Sequence, residues 1–596
     1  MAKYGPECAF LSLGSNPVRE IVRKPLLIIL LLAASLSATA KNRKIALDVP
    51  TNSGDSVDVI VQFRHVPAAG HAAKIADHGG TVIDDLSLVK ALHVSLPAGK
   101  LAELANDDEV TFISPNRPVH SHLNNATAAV MAQYAWSLGL DGTGIGVAVI
   151  DSGVHGVDDL KDSLGHNSIV YQYDTLGGGT DDQYGHGTHV AGIIAGNGHA
   201  SNCGNCDVLI RGMAPNAHIV NLHALGNKGQ GTDASVIAAI DKAIQLKATY
   251  NIRVMNLSLG RGVFESYSND PLCQAVEQAW NAGIVVVVAA GNYGRDDSAG
   301  TNGYGTITAP GNDPYVITVG AMNTKGTPDR GDDVMASYSS KGPTAIDHIV
   351  KPDIVAPGNR IVSLQQSGGT LIKANPGNRP HVNYYQTGTN TGASNNYFIL
   401  SGTSMAAPMV SGAAALLLQK YPTMTPDQVK ARLMVTAWKN LPPSTTLVDG
   451  GNTYVIQSDV FTVGAGYLDV QAALMSSDLA PAIPGVAVSP IAQFDSVSGN
   501  VYIVSSSSAL WGSSAMWGSS AVWGSNQFLA GSSAMWGSSS LSGSSALWGS
   551  SALWGSSALW GSSTTSGFSA LWGSSALWGS STDVTQSLNA LINGEN

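Results

Sequence analysis

Between residues 128 and 474, short runs of apolar residues alternate with helical patterns, and this alternation restricts the fold more than any other feature of the chain. Residues 284–289, Ile-Val-Val-Val-Val-Ala, contain no polar side chain, which is typical of a strand buried on both faces of a sheet. Such strands, separated by helices, predict an α/β fold with a doubly wound parallel sheet, whose reactive groups collect beyond the carboxyl ends of the strands. The predicted strands are 146–150, 218–222, 254–257, 284–289 and 316–319, and the predicted helices are 186–195, 234–246, 271–282, 404–419 and 425–437.

The composition supports a large core and excludes two other classes of protein. Apolar residues make up 44% of the 596 residues and charged residues only 12%, so the chain is not a highly charged disordered protein. The net charge of −11 argues against nucleic acid as a partner, because phosphate binding needs a basic surface.

Residues 1–40 have the three parts of a secretory signal peptide. Lysines and arginines precede the apolar run 26–34, and residues 38–40, Ala-Thr-Ala, form a small-x-small cleavage site. The apolar run is about half the ~20 residues that a membrane-spanning helix needs. We therefore expect the mature protein to be secreted or held at the cell surface.

Three cysteines follow this segment. Cys203 and Cys206 enclose a Gly-Asn pair, and they are open to three interpretations: a redox pair, half of a zinc site, or a local disulfide. No second pair of ligands is spaced suitably for zinc nearby. In an exported chain the disulfide is favoured, which leaves Cys273 free and buried.

The patterns divide the rest of the chain into five parts. Residues 55–120 alternate in the order βαββαβ and predict a small α+β, ferredoxin-like domain. A larger domain covers 128–476, and within it 364–397 is expected to be a polar surface insertion. A linker, a repeat region and a short tail are predicted at 477–504, 505–582 and 583–596.

The repeat region recurs on the unit Trp-Gly-Ser-Ser-Ala-Leu and carries nine of the twelve tryptophans of the chain. Residues six positions apart share a face in a strand but are spread around a helix, and abundant Gly and Ser oppose a helix. We therefore predict a stacked β-solenoid with a ladder of tryptophans; a flexible low-complexity linker is the alternative. Surface attachment or self-association is the expected role.

Three motifs each place a residue suited to nucleophilic catalysis at the end of a buried element. Asp151 ends the strand of Val-Ala-Val-Ile-Asp-Ser-Gly. His186 begins the helix of Gly-His-Gly-Thr-His-Val-Ala-Gly. Ser404 lies at the turn into the long apolar helix of Ser-Gly-Thr-Ser-Met-Ala-Ala-Pro.

Together these three residue types can activate a hydroxyl group. A serine is a weak nucleophile unless a base accepts its proton, and imidazole can accept and return that proton near neutral pH. A buried carboxylate holds the imidazole in the correct tautomer. Taken singly, Asp151 is a turn residue, His186 a packed histidine and Ser404 a helix cap. The three motifs in the order Asp, His, Ser favour a catalytic triad, and His189 and His223 are interpreted as structural.

With these motifs, residues 128–474 resemble the subtilisin-like serine proteases, the subtilases of type S8. The resemblance includes the closing Gly-Ala-Gly-Tyr-Leu-Asp of residues 464–469, and the domain at 55–120 more weakly resembles the inhibitory propeptide of that family. It implies peptide-bond hydrolysis through an acyl-enzyme. Asp151 would orient, His186 would act as base and acid, and Ser404 would be the nucleophile. Met409 departs from the family, since many relatives have His there.

The resemblance also implies further site residues. Asn292, after the buried strand 284–289, takes the place of the side-chain amide that donates to the oxyanion in subtilisin-like enzymes. Two segments resemble the edge strands between which a substrate adds as a further strand, and a third would form a wall of the first specificity pocket. These substrate-binding residues are Gly229, Gln230, Gly231, Ser258, Leu259, Gly260, Ala290 and Gly291.

The chemistry needs no cofactor, and the identity of any metal is open. Structural calcium is expected by family analogy alone, because the loop 197–210 replaces the usual calcium loop. Asp158 and Asp159 could serve a cation, yet no carboxylate cluster has the spacing of a calcium loop.

The function expected from the sequence is that of a secreted serine endopeptidase made as a self-inhibited precursor. Its expected partners are polypeptide substrates and its own propeptide, which would act as an intramolecular inhibitor. Nucleic acid is not expected to be a partner. Two other functions compete with it: an adhesion or assembly protein whose peptidase domain serves processing, and a catalytically impaired peptide binder. The intact triad and Asn292 speak against the second of these.

Overall fold

The computed structural model describes residues 44–46, 49, 56–115, 122–162, 164–298, 300–449, 451–495, 500–504, 527–528 and 588–595. The chain forms two compact units, residues 1–119 and 120–596. The predicted signal peptide and almost all of the predicted repeat region lie outside the described residues.

The first unit is an antiparallel sheet with helices, in the predicted order βαββαβ. Its strands are arranged β2-β3-β1-β4, and the apolar side chains of alternate strand positions, such as Val59, Val61 and Val94, are fully buried. They form a core separate from that of the second unit. The elements are β1 (Ser56–Phe63), α1 (Ala69–Asp77), β2 (Thr81–Leu86), β3 (Ala91–Pro97), α2 (Leu101–Ala105) and β4 (Val110–Pro115), with 3-10 helices at Ser87–Val89 and Ala98–Lys100.

An eight-stranded sheet forms the centre of the second unit. Seven strands follow the order β11-β10-β9-β8-β5-β7-β6, and β12 also pairs with β10. Every pairing is parallel except the one between β10 and β11, as predicted for a doubly wound sheet. The strands are β5 (Gly146–Asp151), β6 (Ile169–Asp174), β7 (His218–His223), β8 (Ile252–Leu257), β9 (Val285–Ala289), β10 (Ile317–Asn323), β11 (Val334–Met335) and β12 (Ile354–Pro357).

Helices accompany this sheet, and five of them lie where the sequence predicts them to within two residues at either end. They cover strands that are buried on both faces, as in β9, where all five residues are buried. The α-helices are α3 (His122–Ala129), α4 (Ala132–Ser137), α5 (His186–Ala195), α6 (Asp233–Leu246), α7 (Pro271–Asn281), α8 (Thr370–Ala374), α9 (Thr403–Lys420), α10 (Pro426–Thr436), α11 (Val460–Val463) and α12 (Val470–Met475). Shorter 3-10 helices lie at Asp158–Leu160, His199–Ser201, Pro376–Asn378 and Val382–Tyr384.

Three hairpin-like sheets add to the second unit. The strand β13 (Ile361–Leu364) pairs with β14 (Tyr397–Leu400), and β15 (Ser444–Asp449) pairs with β16 (Asn452–Gln457). The third sheet contains β17 (Ile491–Asp495), β18 (Asn500–Val504) and β19 (Gln527–Phe528). The segment predicted as a linker, 477–504, therefore carries two strands, and its residue Ser489 is buried in the second unit.

The predicted surface insertion 364–397 is only partly a surface segment. Leu371, Ile372 and Tyr385 are buried in the main core, because α8 packs against the residues that precede α5. The N–H groups of Thr370 and Leu371 donate to the carbonyl oxygens of Gln183 and Tyr184. Because most residues of the segment are polar, its few buried apolar residues could not be recognised from the sequence.

The cysteines lie as the disulfide interpretation expects. Cys203 and Cys206 are joined by a disulfide bond, and Cys273 is free and buried. Burial raises the pKa of the Cys273 thiol well above its usual range. Within the described residues, no helix has the length and apolar character needed to cross a membrane.

Candidate active site

Asp151 lies at the carboxyl end of β5, in the middle of the sheet between β7 and β8. The six residues of the strand are all buried, so the carboxylate is held in a dry setting and is only 1% exposed. Its Oδ1 accepts hydrogen bonds from the N–H of Ser152 (2.7 Å) and from Nδ1 of His186 (2.8 Å). The strand therefore places a carboxylate oxygen within hydrogen-bond distance of the imidazole.

His186 is the first residue of α5, and its side chain is almost completely buried. The helix can reach the strand end because the next residue is Gly187. A Cβ on Gly187 would lie 2.1 Å from the carbonyl oxygen of Gly153, which no other residue could accommodate. Burial by itself lowers the pKa of His186, but the Asp151 carboxylate outweighs burial and raises this pKa above its usual value.

Asp182 fixes the first turn of α5, and the sequence analysis missed it. Its buried carboxylate accepts hydrogen bonds from Ser152 Oγ (2.9 Å), from the N–H of Gly185 (2.6 Å), and from the N–H (2.8 Å) and hydroxyl (2.7 Å) of Thr188. Ser152 Oγ in turn accepts from the N–H of Gly187 (3.0 Å). Burial raises the pKa of Asp182 although these donors oppose the effect. The signal in the sequence is an Asp four residues before His186.

Ser404 is the second residue of α9. The turn that precedes it needs glycine, because Gly402 has a φ of 141°. The hydroxyl of Ser404 donates to the carbonyl oxygen of Ser258 (3.2 Å), and the hydroxyl of Ser258 donates to the carbonyl oxygen of Ser404 (2.8 Å). His186 and Ser404 line the same cavity.

Asn292 follows β9 and is held in one orientation by Thr403. Its Oδ1 accepts hydrogen bonds from the N–H (2.9 Å) and the hydroxyl (3.1 Å) of Thr403. The Thr403 hydroxyl also accepts from the N–H of Gly291 (3.1 Å). Because the carbonyl end of the amide is occupied, the Nδ2 donors of Asn292 are the atoms left for a ligand. The sequence analysis did not single out Thr403, although it lies beside Ser404.

A cavity of about 640 Å³ brings together three of the four predicted catalytic residues, namely His186, Asn292 and Ser404. Both predicted substrate segments also line it. Both segments were expected to resemble edge strands, but they are loops, one after β7 and one after β8. Neither pairs with a strand among the described residues. The segments are Gly229, Gln230, Gly231 and Ser258, Leu259, Gly260.

Ala290 and Gly291, which were predicted to form a wall of the pocket, are not among the residues that line this cavity. Ala290 is fully buried, and Gly291 is partly buried with its N–H bonded to Thr403. The N–H of Gly291 and the Oδ1 of its neighbour Asn292 thus share the hydroxyl of Thr403 as a hydrogen-bond partner. Leu588 and Leu591 are among the residues outside the predicted site that do line the cavity.

The neighbouring histidines have structural contacts. Nε2 of His189 lies 3.1 Å from the carbonyl oxygens of Ile361 and Phe398, to which it donates. Burial, together with the nearby His186, lowers the pKa of His189 to about 3, so this imidazole is neutral. His223 Nδ1 pairs with Asp174 (3.1 Å). Met409, where many relatives have His, is fully buried in α9.

The two acidic residues considered for a cation are already partnered. Asp158 pairs with Lys161 (2.5 Å), and Asp159 accepts hydrogen bonds from the N–H of Ala200 (2.9 Å) and the hydroxyl of Tyr397 (3.0 Å). These carboxylates do not form a calcium cage. Among the described residues there is no cluster of three or more His, Cys, Asp or Glu that could hold a metal.

The chain is similar in sequence to a family of known proteins. Residues 142–466 match the subtilase family of S8 peptidases. The serine protease AprX of Bacillus subtilis (strain 168) is 38% identical over 58% of this chain and 73% of that protein. Subtilisin E of the same strain is 31% identical over 76% of this chain and 99% of that protein. The solved structure of a cold adapted subtilisin-like serine proteinase is 28% identical over 56% of this chain and 90% of that chain, with a TM-score of 0.38.

Proposed function

Because this chain belongs to the subtilase family and is a subtilisin-like serine endopeptidase, we propose that Asp151, His186 and Ser404 are its catalytic triad. The observation that carries this assignment is the 2.8 Å contact between Asp151 Oδ1 and His186 Nδ1, at a cavity that His186 shares with Ser404. Subtilases need no cofactor for this chemistry.

The reaction then follows from the roles of three side chains. His186 Nε2 accepts the Ser404 hydroxyl proton while Oγ attacks the carbonyl carbon of the peptide bond. Asp151 stays ionised and stabilises the imidazolium that forms. The imidazolium gives its proton to the leaving amine as the carbon–nitrogen bond breaks. Water then attacks the acyl carbon while His186 accepts its proton, and His186 passes that proton to Ser404 Oγ as the ester bond breaks and the new carboxyl group leaves.

Asn292 is proposed as the side-chain donor to the oxyanion. With Oδ1 held by Thr403, its Nδ2 is free to donate to the oxygen that becomes negative during attack. As at any helix N-terminus, the N–H groups in the first turn of α9 are not bonded to carbonyl groups of the helix itself, and they favour negative charge at this end of the helix. A preoriented donor costs little reorganisation during the reaction.

The substrate is proposed to be a polypeptide in extended conformation. The segments Gly229–Gly231 and Ser258–Gly260 both line the cavity and have main-chain groups outside any sheet ladder. A substrate strand could pair with them through its backbone, a mode of recognition that tolerates many sequences. We therefore expect broad specificity.

The amino-terminal unit is proposed to be an inhibitory propeptide, and the mature enzyme to be exported. The support is the separate core of this unit, its βαββαβ order and the propeptide inhibitors of the family. The signal-peptide pattern of residues 1–40 supports export. A self-inhibited precursor would keep the protease inactive until it has left the cell.

The repeat region, 505–582, is proposed to attach the enzyme to the cell surface or to associate with itself. The support is the regular six-residue spacing of its tryptophans. Removing 505–582 while keeping 583–596 should leave soluble proteolysis unchanged and abolish retention at the surface. Unchanged retention would remove the attachment role.

A Ser404→Ala variant tests the proposed activity. It removes the nucleophile and changes little else, so we expect loss of casein hydrolysis and accumulation of an uncut precursor. A Ser411→Ala variant, in the same helix but with its hydroxyl bonded to Asn256, is the matched control and should stay active. If the Ser404→Ala variant still hydrolyses casein and cuts its precursor, the assignment fails.

A further inference from the structure

Residues 588–595, which we name the anchor segment, are packed into the second unit, and two of them line the cavity that contains Ser404. They include a helical turn at 588–593, and Ala590, Gly594 and Glu595 are buried. Burial of a charged residue is costly unless its charge is paired, so a buried Glu595 needs partners for its carboxylate.

The carboxylate of Glu595 lies in a fitted cradle. It accepts hydrogen bonds from the N–H (3.1 Å) and hydroxyl (2.6 Å) of Ser337, and it pairs with Arg295 (3.0 Å). Asn359 binds the backbone of the same residue from both sides: its Nδ2 donates to the Glu595 carbonyl (2.7 Å), and its Oδ1 accepts from the Glu595 N–H (2.9 Å). Such a set of donors recognises an acidic residue in a defined position.

The rest of the anchor segment is bound through its backbone. The N–H of Ser401 donates to the carbonyl oxygen of Leu591 (2.9 Å), and Asn378 donates to that of Ile592. Gly594 packs so closely against Ser401 that a Cβ on Gly594 would lie 2.4 Å from Ser401 Oγ. The contact at Ser401 is three residues before Ser404, so the binding surface is continuous with the active-site turn.

The anchor segment also changes the shape of the cleft. Leu588 and Leu591 line the cavity that contains His186, Asn292 and Ser404. The loops Gly229–Gly231 and Ser258–Gly260, proposed above to pair with a substrate strand, line the same cavity. The N–H of Ser401, three residues before Ser404, holds the carbonyl oxygen of Leu591, so the leucines lie beside the proposed nucleophile.

We propose that Arg295, Ser337, Asn359 and Ser401 form a binding surface for the anchor segment of the same chain, which holds Leu588 and Leu591 in the leaving-group part of the cleft. The inference rests on the proposed protease function. Long substrates must displace these leucines, whereas substrates that end just after the scissile bond need not. The segment therefore acts as a competitor of one half of the substrate.

Two substrates and three forms of the protein test this proposal. One substrate is a peptide 4-nitroanilide, and the other is an internally quenched peptide with four residues after the scissile bond. The forms are the full chain, a Glu595→Ala variant and a chain that ends at 587. Mass spectrometry of the intact proteins confirms that the first two retain the anchor segment. An Asp478→Ala variant, which removes an exposed carboxylate, is the matched control.

We expect the Glu595→Ala variant and the shortened chain to lower KM for the long peptide about tenfold, because charge-assisted hydrogen bonds are lost. Their kinetics on the anilide should equal those of the full chain, and the Asp478→Ala variant should match it on both substrates. A synthetic peptide of residues 587–596 should inhibit the shortened chain on the long peptide. The same peptide with Glu595→Ala should inhibit about tenfold more weakly or worse.

Unchanged KM for the long peptide in a folded, active shortened chain would overturn the proposal, as would a peptide of residues 587–596 that does not inhibit. The added peptide keeps the test decisive if the variants fold poorly, since it can be added to any active form. Failure of the protease assignment looks different: neither substrate would be cut by the full chain, or the Ser404→Ala variant would cut both.

Discussion

The hydroxyl of Thr403 orients the proposed oxyanion donor, and replacing it by valine should slow catalysis without weakening substrate binding. The change Thr403→Val puts a methyl group where the hydroxyl donates to Asn292 Oδ1 (3.1 Å) and accepts from the N–H of Gly291 (3.1 Å). The N–H of Thr403 still donates to the same Oδ1 (2.9 Å), so the amide keeps half of its support.

The expected loss of kcat follows from the one hydrogen bond to Asn292 that the valine removes. One neutral hydrogen bond contributes about 0.5–1.5 kcal/mol, which corresponds to about a 2- to 13-fold loss of kcat for the Thr403→Val variant. Loss of the whole donor in Asn292→Ala should cost about 10²–10³ in kcat, a range taken from the corresponding donor of subtilisin and not worked from this structure. The donor acts on charge that exists only in the transition state, so KM should stay the same in both variants.

The assay is steady-state hydrolysis of a peptide 4-nitroanilide, with Thr403→Ser as the control because serine keeps the hydroxyl. The serine variant should retain most of the wild-type kcat. The reasoning is refuted if Thr403→Val leaves kcat unchanged, if it loses as much as Asn292→Ala, or if the serine variant is as slow as the valine variant.

Three further predictions concern the imidazole and its supports. The neutral form of His186 is the base, and its pKa is raised, so kcat/KM should fall as the pH drops through a midpoint above the ordinary value of about 6.5; a midpoint at or below that value would contradict the geometry. Asp151→Asn should reduce kcat about 10⁴-fold, as the loss of this carboxylate does in chymotrypsin-type enzymes, and should shift the midpoint of the residual activity to lower pH. Asp182→Asn puts a side-chain amide, which can donate, against N–H and hydroxyl groups that donate to Asp182. The free energy of unfolding, measured in urea, should therefore fall by at least about 2 kcal/mol. Asp181→Asn, at the exposed neighbour, should change it by no more than about 0.5 kcal/mol.

Local patterns allowed the sheet and the residues of the proposed triad to be predicted. The strand β5 and the helix α5 are almost wholly apolar or small, and each ends or begins at a chemically distinctive residue, Asp151 or His186. The strand β6, Ile-Val-Tyr-Gln-Tyr-Asp, was missed because it is the edge of the sheet and its residues are mixed in polarity. Strand β12 is only four residues long, too short to give a pattern.

The supporting residues of the site could not be predicted, since their roles depend on contacts between distant positions. Thr403 meets Asn292 across 111 positions, and Ser337 meets Glu595 across 258. No periodicity or motif connects residues at such separations. Gly187 is an intermediate case: its place beside His186 is visible in the sequence, but the 2.1 Å approach that requires it appears only in three dimensions.

The central claim is that His186 and Asp151 activate Ser404, and labelling with a fluorophosphonate tests it most directly. This reagent reacts with a serine only where a base activates the hydroxyl. Mass spectrometry of the labelled chain should find one adduct, on Ser404, and the His186→Ala variant should remain unlabelled over the same time. An adduct on a different serine, or equal labelling of Ser404 in the His186→Ala variant, would contradict the account.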